Sequence, residues 1–279
     1  RPGSACSGCE PLYMYPTLEV LREKSVATVW MNRPEVHNAF NAQLIADLTA
    51  ACRSLEADDG VRMVVLAGRG KSFSAGGDLN WMKAAGEASI EDNVADARKL
   101  AAMLRALAEL AKPTIARVHG AALGGGLGLA AACDLCVAAP EAVFATSEVR
   151  LGIIPATIGP YVIRAIGARQ AQRYFLTGER IDAARAREIG LVHEVAASEQ
   201  LDTKIAELTR ALRRGGPKAL AASKALIRAV AGRPIDDDVV EDTARRIAAL
   251  RATPEAREGL AAFLAKRRPA WIAGVAGEG

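Results

Sequence analysis

The sequence predicts an α/β protein. Short apolar runs with strand character alternate with amphipathic helical segments through the first two-thirds of the chain, the order strand, glycine-rich loop, helix occurs twice, and the remainder reads as helix after helix. With 279 residues, 51% of them hydrophobic, the chain suffices for one large domain or a domain with a helical appendage. The expected division is an extension over 1–16, an α/β core over 17–197 and a helical region over 198–279.

The opening RPGSACSGCEP has no signal-peptide core and is set outside the fold. Residues 18–31 alternate around Glu23 and Lys24, which predicts a hairpin with VATVWM as its clearer strand. From Asn41, Leu44, Ile45, Leu48, Cys52 and Leu55 recur at helical spacing until Asp58, Asp59 and Gly60. A strand over 61–67 leads into the loop SFSAGGDLNWM (72–82), followed by an irregular stretch over 83–93. Leu100, Met103, Leu104, Leu107 and Leu110 then mark a helix over 94–110, which Pro113 stops. The strand 114–118 feeds GAALGGGLGLA (120–130), a short helix over 126–132 and strands at 135–139 and 143–145. From 159 the pattern is helical apart from a strand LVHEV at 191–195, with breaks at Gly215–Pro217, Gly232–Pro234 and Pro254.

The 36 basic and 32 acidic residues are spread along the whole length, so no basic block marks a nucleic-acid or membrane surface, and neither partner is expected. No apolar run reaches the roughly 18 to 20 residues of a membrane span, and a cytoplasmic protein is expected. Five cysteines, an odd count, fit a reducing compartment. The CxxC pairs Cys6/Cys9 and Cys133/Cys136 join a tail to a core strand, and Cys52 lies on an apolar helix face, so no metal site is expected.

The chemistry is concentrated in the two glycine-rich loops. Amides presented from two loops that follow neighbouring strands, with a helix starting after the second, can hold the charge that develops on a carbonyl oxygen in enolate or acyl chemistry. Glu148 lies downstream as the acid–base group such a site needs. Other readings of these motifs are weaker. GLGLAA mimics a dinucleotide fingerprint but stands mid-chain, with two strands intervening before Glu148. GRGKS lacks the first glycine of a phosphate loop, Val65 standing there instead. His37, His119 and His193 accompany no GxSxG elbow and read as structural.

The segments MNRPEVHNAFN (31–41), GKSFSAGGDLNWM (70–82), KPTIARVHGAALGGGLGLAAACDL (112–135), FATSEVRLGIIPATIGPYV (144–162) and YFLTGERIDAARAREIGLVHEV (174–195) resemble the crotonase, or enoyl-CoA hydratase/isomerase, superfamily, over about residues 18 to 270. The resemblance implies a crotonase-like spiral of ββα repeats with a C-terminal helical trimerisation region, assembled as a homotrimer or homohexamer. It implies an acyl-CoA thioester substrate that brings coenzyme A with it, and no tightly bound cofactor. Carried over by position, it puts the oxyanion hole on the amides of Ala75 and Gly125 and the acid–base role on Glu148. It puts coenzyme A contacts at Val36, Asn38, Ala39, Ala75, Gly76, Gly77, Asp78 and Leu79. Gly128 stands where typical hydratases of the family carry their first glutamate. SFSAGGDLNWM, SEVRLGIIPATIGPYV and YFLTGERIDAARAR are most similar to bacterial methylglutaconyl-CoA and isohexenylglutaconyl-CoA hydratases, which also lack it. The implied reaction is addition of water across an α,β double bond. The alternatives are a Δ3,Δ2-enoyl-CoA isomerase with Glu148 as its single proton shuttle, and a non-catalytic CoA- or RNA-binding relative.

Overall fold

The computed structural model describes residues 10–273. The readings made for Cys6 and Cys9 lie outside the described residues. The chain divides into two compact units, the first running to Ile205 without Ala111–Pro113, and the second comprising Ala111–Pro113 and the chain from Ala206 onward.

In the first unit the predicted hairpin is present as β2 (Leu18–Glu23) and β3 (Val26–Met31). It carries an additional strand, β1 (Glu10–Tyr15), antiparallel to β2. Residues 10–15 therefore belong to the sheet and not to the expected extension, because Leu12, Tyr13 and Tyr15 pack against the core. Strand β4 (Met63–Gly68) runs parallel to β3, and β5 (Thr114–Val118) parallel to β4. Every residue of β4 is buried, as expected for a central parallel strand covered on both faces. A short strand β6 (Ala121–Leu123) follows, then β7 (Leu135–Ala138), β8 (Val143–Ala145), β9 (Ile181–Asp182) and β10 (Glu194–Val195). The order is β1-β2-β3-β4-β5-β7-β10 in the main sheet and β6-β8-β9 in a small second one. Of the strand expected at 191–195 only its last two residues pair; Leu191 and Val192 are buried instead.

Helix α1 (Ala42–Ala57) starts on Asn41, whose side chain accepts from the Leu44 amide, and buries Leu44, Ile45, Leu48, Cys52 and Leu55. The stretch expected to be irregular is helical on both sides of a break, as α2 (Leu79–Glu87) and α3 (Ile90–Glu109). Their starts are capped by Asp78 and Ser89, which accept from the amides of Asn80 and Asp92. Helix α3 lays Met103, Leu104 and Leu107 into the core. Then come α4 (Gly125–Ala132), α5 (Gly159–Thr177) and α6 (Ala183–Glu188), and α7 (Leu201–Arg213) spans the division between the units.

The second unit contains α8 (Pro217–Val230), α9 (Asp237–Arg251), α10 (Pro254–Leu264) and α11 (Ala270–Ala273), broken where the glycines and prolines predicted. Glycine at the α8 N-cap has no side chain to offer, so Glu255 of α10 accepts from the amides of Lys218 and Ala219 at 3.0 and 2.9 Å. No helix among the described residues is long and apolar enough to cross a membrane.

Candidate active site

Three parallel segments of the first unit bring the predicted site residues together. Ser74 forms a parallel bridge with Ala122 of β6, and Ala122 pairs with Phe144 of β8. Ser74 donates to the Ala121 carbonyl and Leu123 to that of Ser74, both at 2.9 Å, while Gly124 donates to Ala145 at 2.8 Å. The chains leave this shared register side by side, so Gly77, Gly125 and Ser147 stand at equal steps beyond it, with Glu148 next. Their closeness is visible in two contacts. A Cβ placed on Gly76 would lie 3.0 Å from the Leu123 carbonyl, and one on Gly124 would lie 3.2 Å from Oε1 of Glu148.

Glu148 opens a single 3-10 turn, Glu148–Leu151, and is half-buried. Its Oε2 is buried without a hydrogen-bond partner among the described residues. Burial pushes its carboxyl above the ordinary glutamate range, opposed only in part by a hydrogen bond from its own amide. An acid of this kind, beside a glycine loop, is suited to carrying a proton to and from carbon. Arg150 turns away from it, donating to the Thr177 carbonyl at 3.4 Å.

The expected oxyanion donor at Ala75 is corrected by its hydrogen bond. The Ala75 amide donates to the His37 carbonyl at 2.9 Å and so offers nothing to a ligand. The Gly77 amide, two residues on, makes no hydrogen bond among the described residues. Its neighbours explain why: Phe40 pairs with Gly77 in a parallel bridge, donating to Gly76 at 2.6 Å and accepting from Asp78 at 2.8 Å. That pattern turns the amide and carbonyl of Gly77 to the opposite side. Gly125 is the first residue of α4, where an amide has no partner within the helix.

The sequence matches the family described as Enoyl-CoA hydratase/isomerase over residues 21–274. The chain belongs to the enoyl-CoA hydratase/isomerase family. An enoyl-CoA hydratase of Alternaria alternata is 35% identical over 248 residues, covering 88% of this chain and 80% of that one. The crystal structure of an enoyl-CoA hydratase from Shewanella pealeana matches with a TM-score of 0.89 at 39% identity, over 91% of this chain and 96% of that one. Pseudomonas aeruginosa AtuE matches with a TM-score of 0.87 at 36% identity, over 92% and 99%.

For an enoyl-CoA hydratase/isomerase family enzyme, the residues assigned to coenzyme A divide into two groups. Leu79 is 82% exposed at the start of α2, and Val36 and Gly77 are half-buried; these are accessible to a ligand. Asn38 and Ala39, also assigned to coenzyme A, are buried, so their side chains are turned into the protein. The Asn38 side chain is fully engaged within the protein. Its Oδ1 accepts from the Arg33 amide at 2.9 Å, and its Nδ2 donates to the carbonyls of Arg69 and Ser72 at 2.9 and 2.8 Å. Arg33 closes the same segment by donating to the Ala39 carbonyl and, at 3.0 Å, to the Asp78 carboxylate. Burial works against the charge on Asp78, but the hydrogen bonds from Arg33 and from the amides at the start of α2 outweigh it and hold the carboxyl below its ordinary value. Asp78 thus fixes the loop and its carboxylate is not free for a ligand; Gly76 is buried, its carbonyl accepting from Phe40. Asn38→Ala is expected to destabilise the fold by about 2–4 kcal/mol, since it strands buried backbone groups and places alanine at a left-handed φ of 55°. Denaturant unfolding checks this.

Gly128 also differs from expectation in what surrounds it. A Cβ there would lie 2.3 Å from Cγ2 and 2.8 Å from Cβ of Ile158, which is 2% exposed. The space a larger residue would need is therefore filled with hydrocarbon. Ile158 carried no signal in the sequence, because its role depends on contact with a helix far away along the chain.

The histidines are structural, as read. His193 Nδ1 accepts from the Cys136 amide at 3.1 Å, His119 Nε2 donates to the Gly70 carbonyl at 2.9 Å, and His37 Nδ1 meets Ser72 Oγ at 3.1 Å. Cys52, Cys133 and Cys136 are buried thiols, and burial pushes Cys52 and Cys136 up to about 12.

Proposed function

We propose that this enzyme holds the oxygen of an enoyl-CoA thioester on the amides of Gly77 and Gly125 and moves a proton at the adjacent carbon with Glu148. The net reaction in this reading is addition of water across the α,β double bond of a glutaconyl-CoA type substrate. The observation that carries it is the half-buried Glu148 carboxylate beside Gly124, with one oxygen buried and unpartnered among the described residues. Two amide donors at a developing oxyanion stabilise the enolate, and an acid raised by burial exchanges protons with it. The substrate's own carboxylate, or a water it orders, stands in for the side chain that Gly128 lacks. The hydratase names of the relatives and the motif text shared with glutaconyl-type hydratases support this direction.

A second reading is favoured by one observation. Ile158 packed on Gly128 leaves Glu148 as the carboxylate at hand, which suits a Δ3,Δ2-enoyl-CoA isomerase that shuttles one proton between carbons two and four. Incubation with a glutaconyl-CoA and, separately, with a 3-enoyl-CoA separates the readings by product mass. Gain of one water from the glutaconyl substrate is the expected result; conversion of only the 3-enoyl thioester, at unchanged mass, establishes the isomerase. In either case coenzyme A arrives with the substrate.

A further inference from the structure

The two donors of the proposed oxyanion hole come from separate loops, and Phe40 touches both. Its backbone brackets Gly77 through the bonds to Gly76 and Asp78, which fixes the direction of the Gly77 amide. Its ring lies against Gly125, where a Cβ would fall 2.6 Å from Cε2 and 2.9 Å from Cδ2. Phe40 is 1% exposed, so the ring cannot swing into solvent to relieve that contact. Arg33 clamps the segment from the other side, across Ala39 and Asp78.

We propose that Phe40 is a positioning residue that sets the distance between the Gly77 and Gly125 amides, its backbone holding the first and its ring stopping the approach of the second. This rests on the reading of those amides as the thioester's oxyanion hole. The division of labour is specific: a change of side chain leaves the backbone bonds to the Gly77 loop intact and alters only the stop against Gly125. Two donors aimed at one oxygen tolerate little misplacement, and an error of about 1 Å is enough to lower turnover about 10²-fold.

The test compares Phe40→Leu with Leu104→Ala, a core truncation in α3, outside the three site segments. The probe is a CoA thioester of an amino-substituted cinnamic acid, whose absorbance moves to the red as its carbonyl oxygen accepts hydrogen bonds. Phe40→Leu is expected to lose about 10²-fold in kcat, to change KM less than about threefold, and to give a smaller red shift. Leu104→Ala is expected to lose stability while keeping kcat per folded molecule and the full red shift. Gly125→Ala should be disruptive alone and much less so in the Phe40→Leu background, a coupling that independent sites do not show. Phe40→Met, closer in volume, carries the same test should the leucine variant not fold. Full red shift and kcat in the folded Phe40 variants, or equal losses in Leu104→Ala, would overturn the inference and leave the site reading standing. A wild-type protein that binds the thioester with no red shift would overturn both.

Discussion

Replacing Glu148 by glutamine is expected to lower turnover about 10²–10⁴-fold while an acyl-CoA thioester still binds nearly as well. Glutamine keeps the size and the packing but cannot exchange a proton, so only the chemical step is touched. Steady-state kinetics with isothermal titration of a non-reacting thioester would check this, and an equal loss of binding would remove Glu148 from the acid–base role. The pH profile supplies a second sign. Glu148 works as a base only when ionised, and burial raises its carboxyl above the ordinary range, so the acid limb of kcat/KM should lie at higher pH than an exposed glutamate would give. The same shift has a cost in stability. Between the ordinary value and the raised one the folded state binds more protons than the unfolded chain, so this group's contribution to stability falls as pH rises through that window. Glu148→Gln should therefore be more stable than the parent at neutral pH, measured as a higher denaturant midpoint, and should lose that advantage in acid where both are uncharged.

Introducing a glutamate at Gly128 is expected to be destructive on its own. Its Cβ would meet Ile158 at 2.3 Å, and the carboxylate would be left in a buried hydrocarbon contact. Loss of soluble folded protein, or destabilisation by about 3 kcal/mol or more, is the predicted result. Pairing it with Ile158→Ala opens the volume and should recover folded enzyme, with crotonyl-CoA hydration rising and glutaconyl turnover falling. A single Gly128→Glu enzyme as stable as the parent would show that Ile158 yields freely. The pair thus tests the missing side chain where the single change cannot.

Much of this architecture was readable from the chain. The strand before each glycine loop, α1 from Asn41 onward and the breaks between the second unit's helices follow from periodicity and from glycine and proline. Glu148 was singled out because an acid–base site beside two amide loops needs a carboxylate, and its side chain lies next to Gly124 once folded. The choice between Ala75 and Gly77 was not readable, because both sit in SAGGD and only the partner strand, Phe40 and His37, decides which amide remains free. Asn38 was assigned to coenzyme A by its place in the family's motif, yet the partners of its side chain, Arg69 and Ser72, are adjacent only once the loops have folded. Helix α2 and the first turn of α3 were read as loop and irregular stretch although Asp78 and Ser89 mark both starts. Strands β6 and β9 are too short for alternation to reveal.

The matched steps by which Gly77, Gly125 and Ser147, the residue before Glu148, leave a common register restrict how this enzyme can be altered. Adding or removing one residue ahead of any of the three points would turn that segment's groups to the other face and dismantle the site at a stroke. Length changes in α2, or in the stretch after Glu148, come later in each segment and leave that register intact. New acyl groups are best accommodated by remodelling there, and libraries directed at those two stretches should return working variants far more often than libraries directed at the loops themselves.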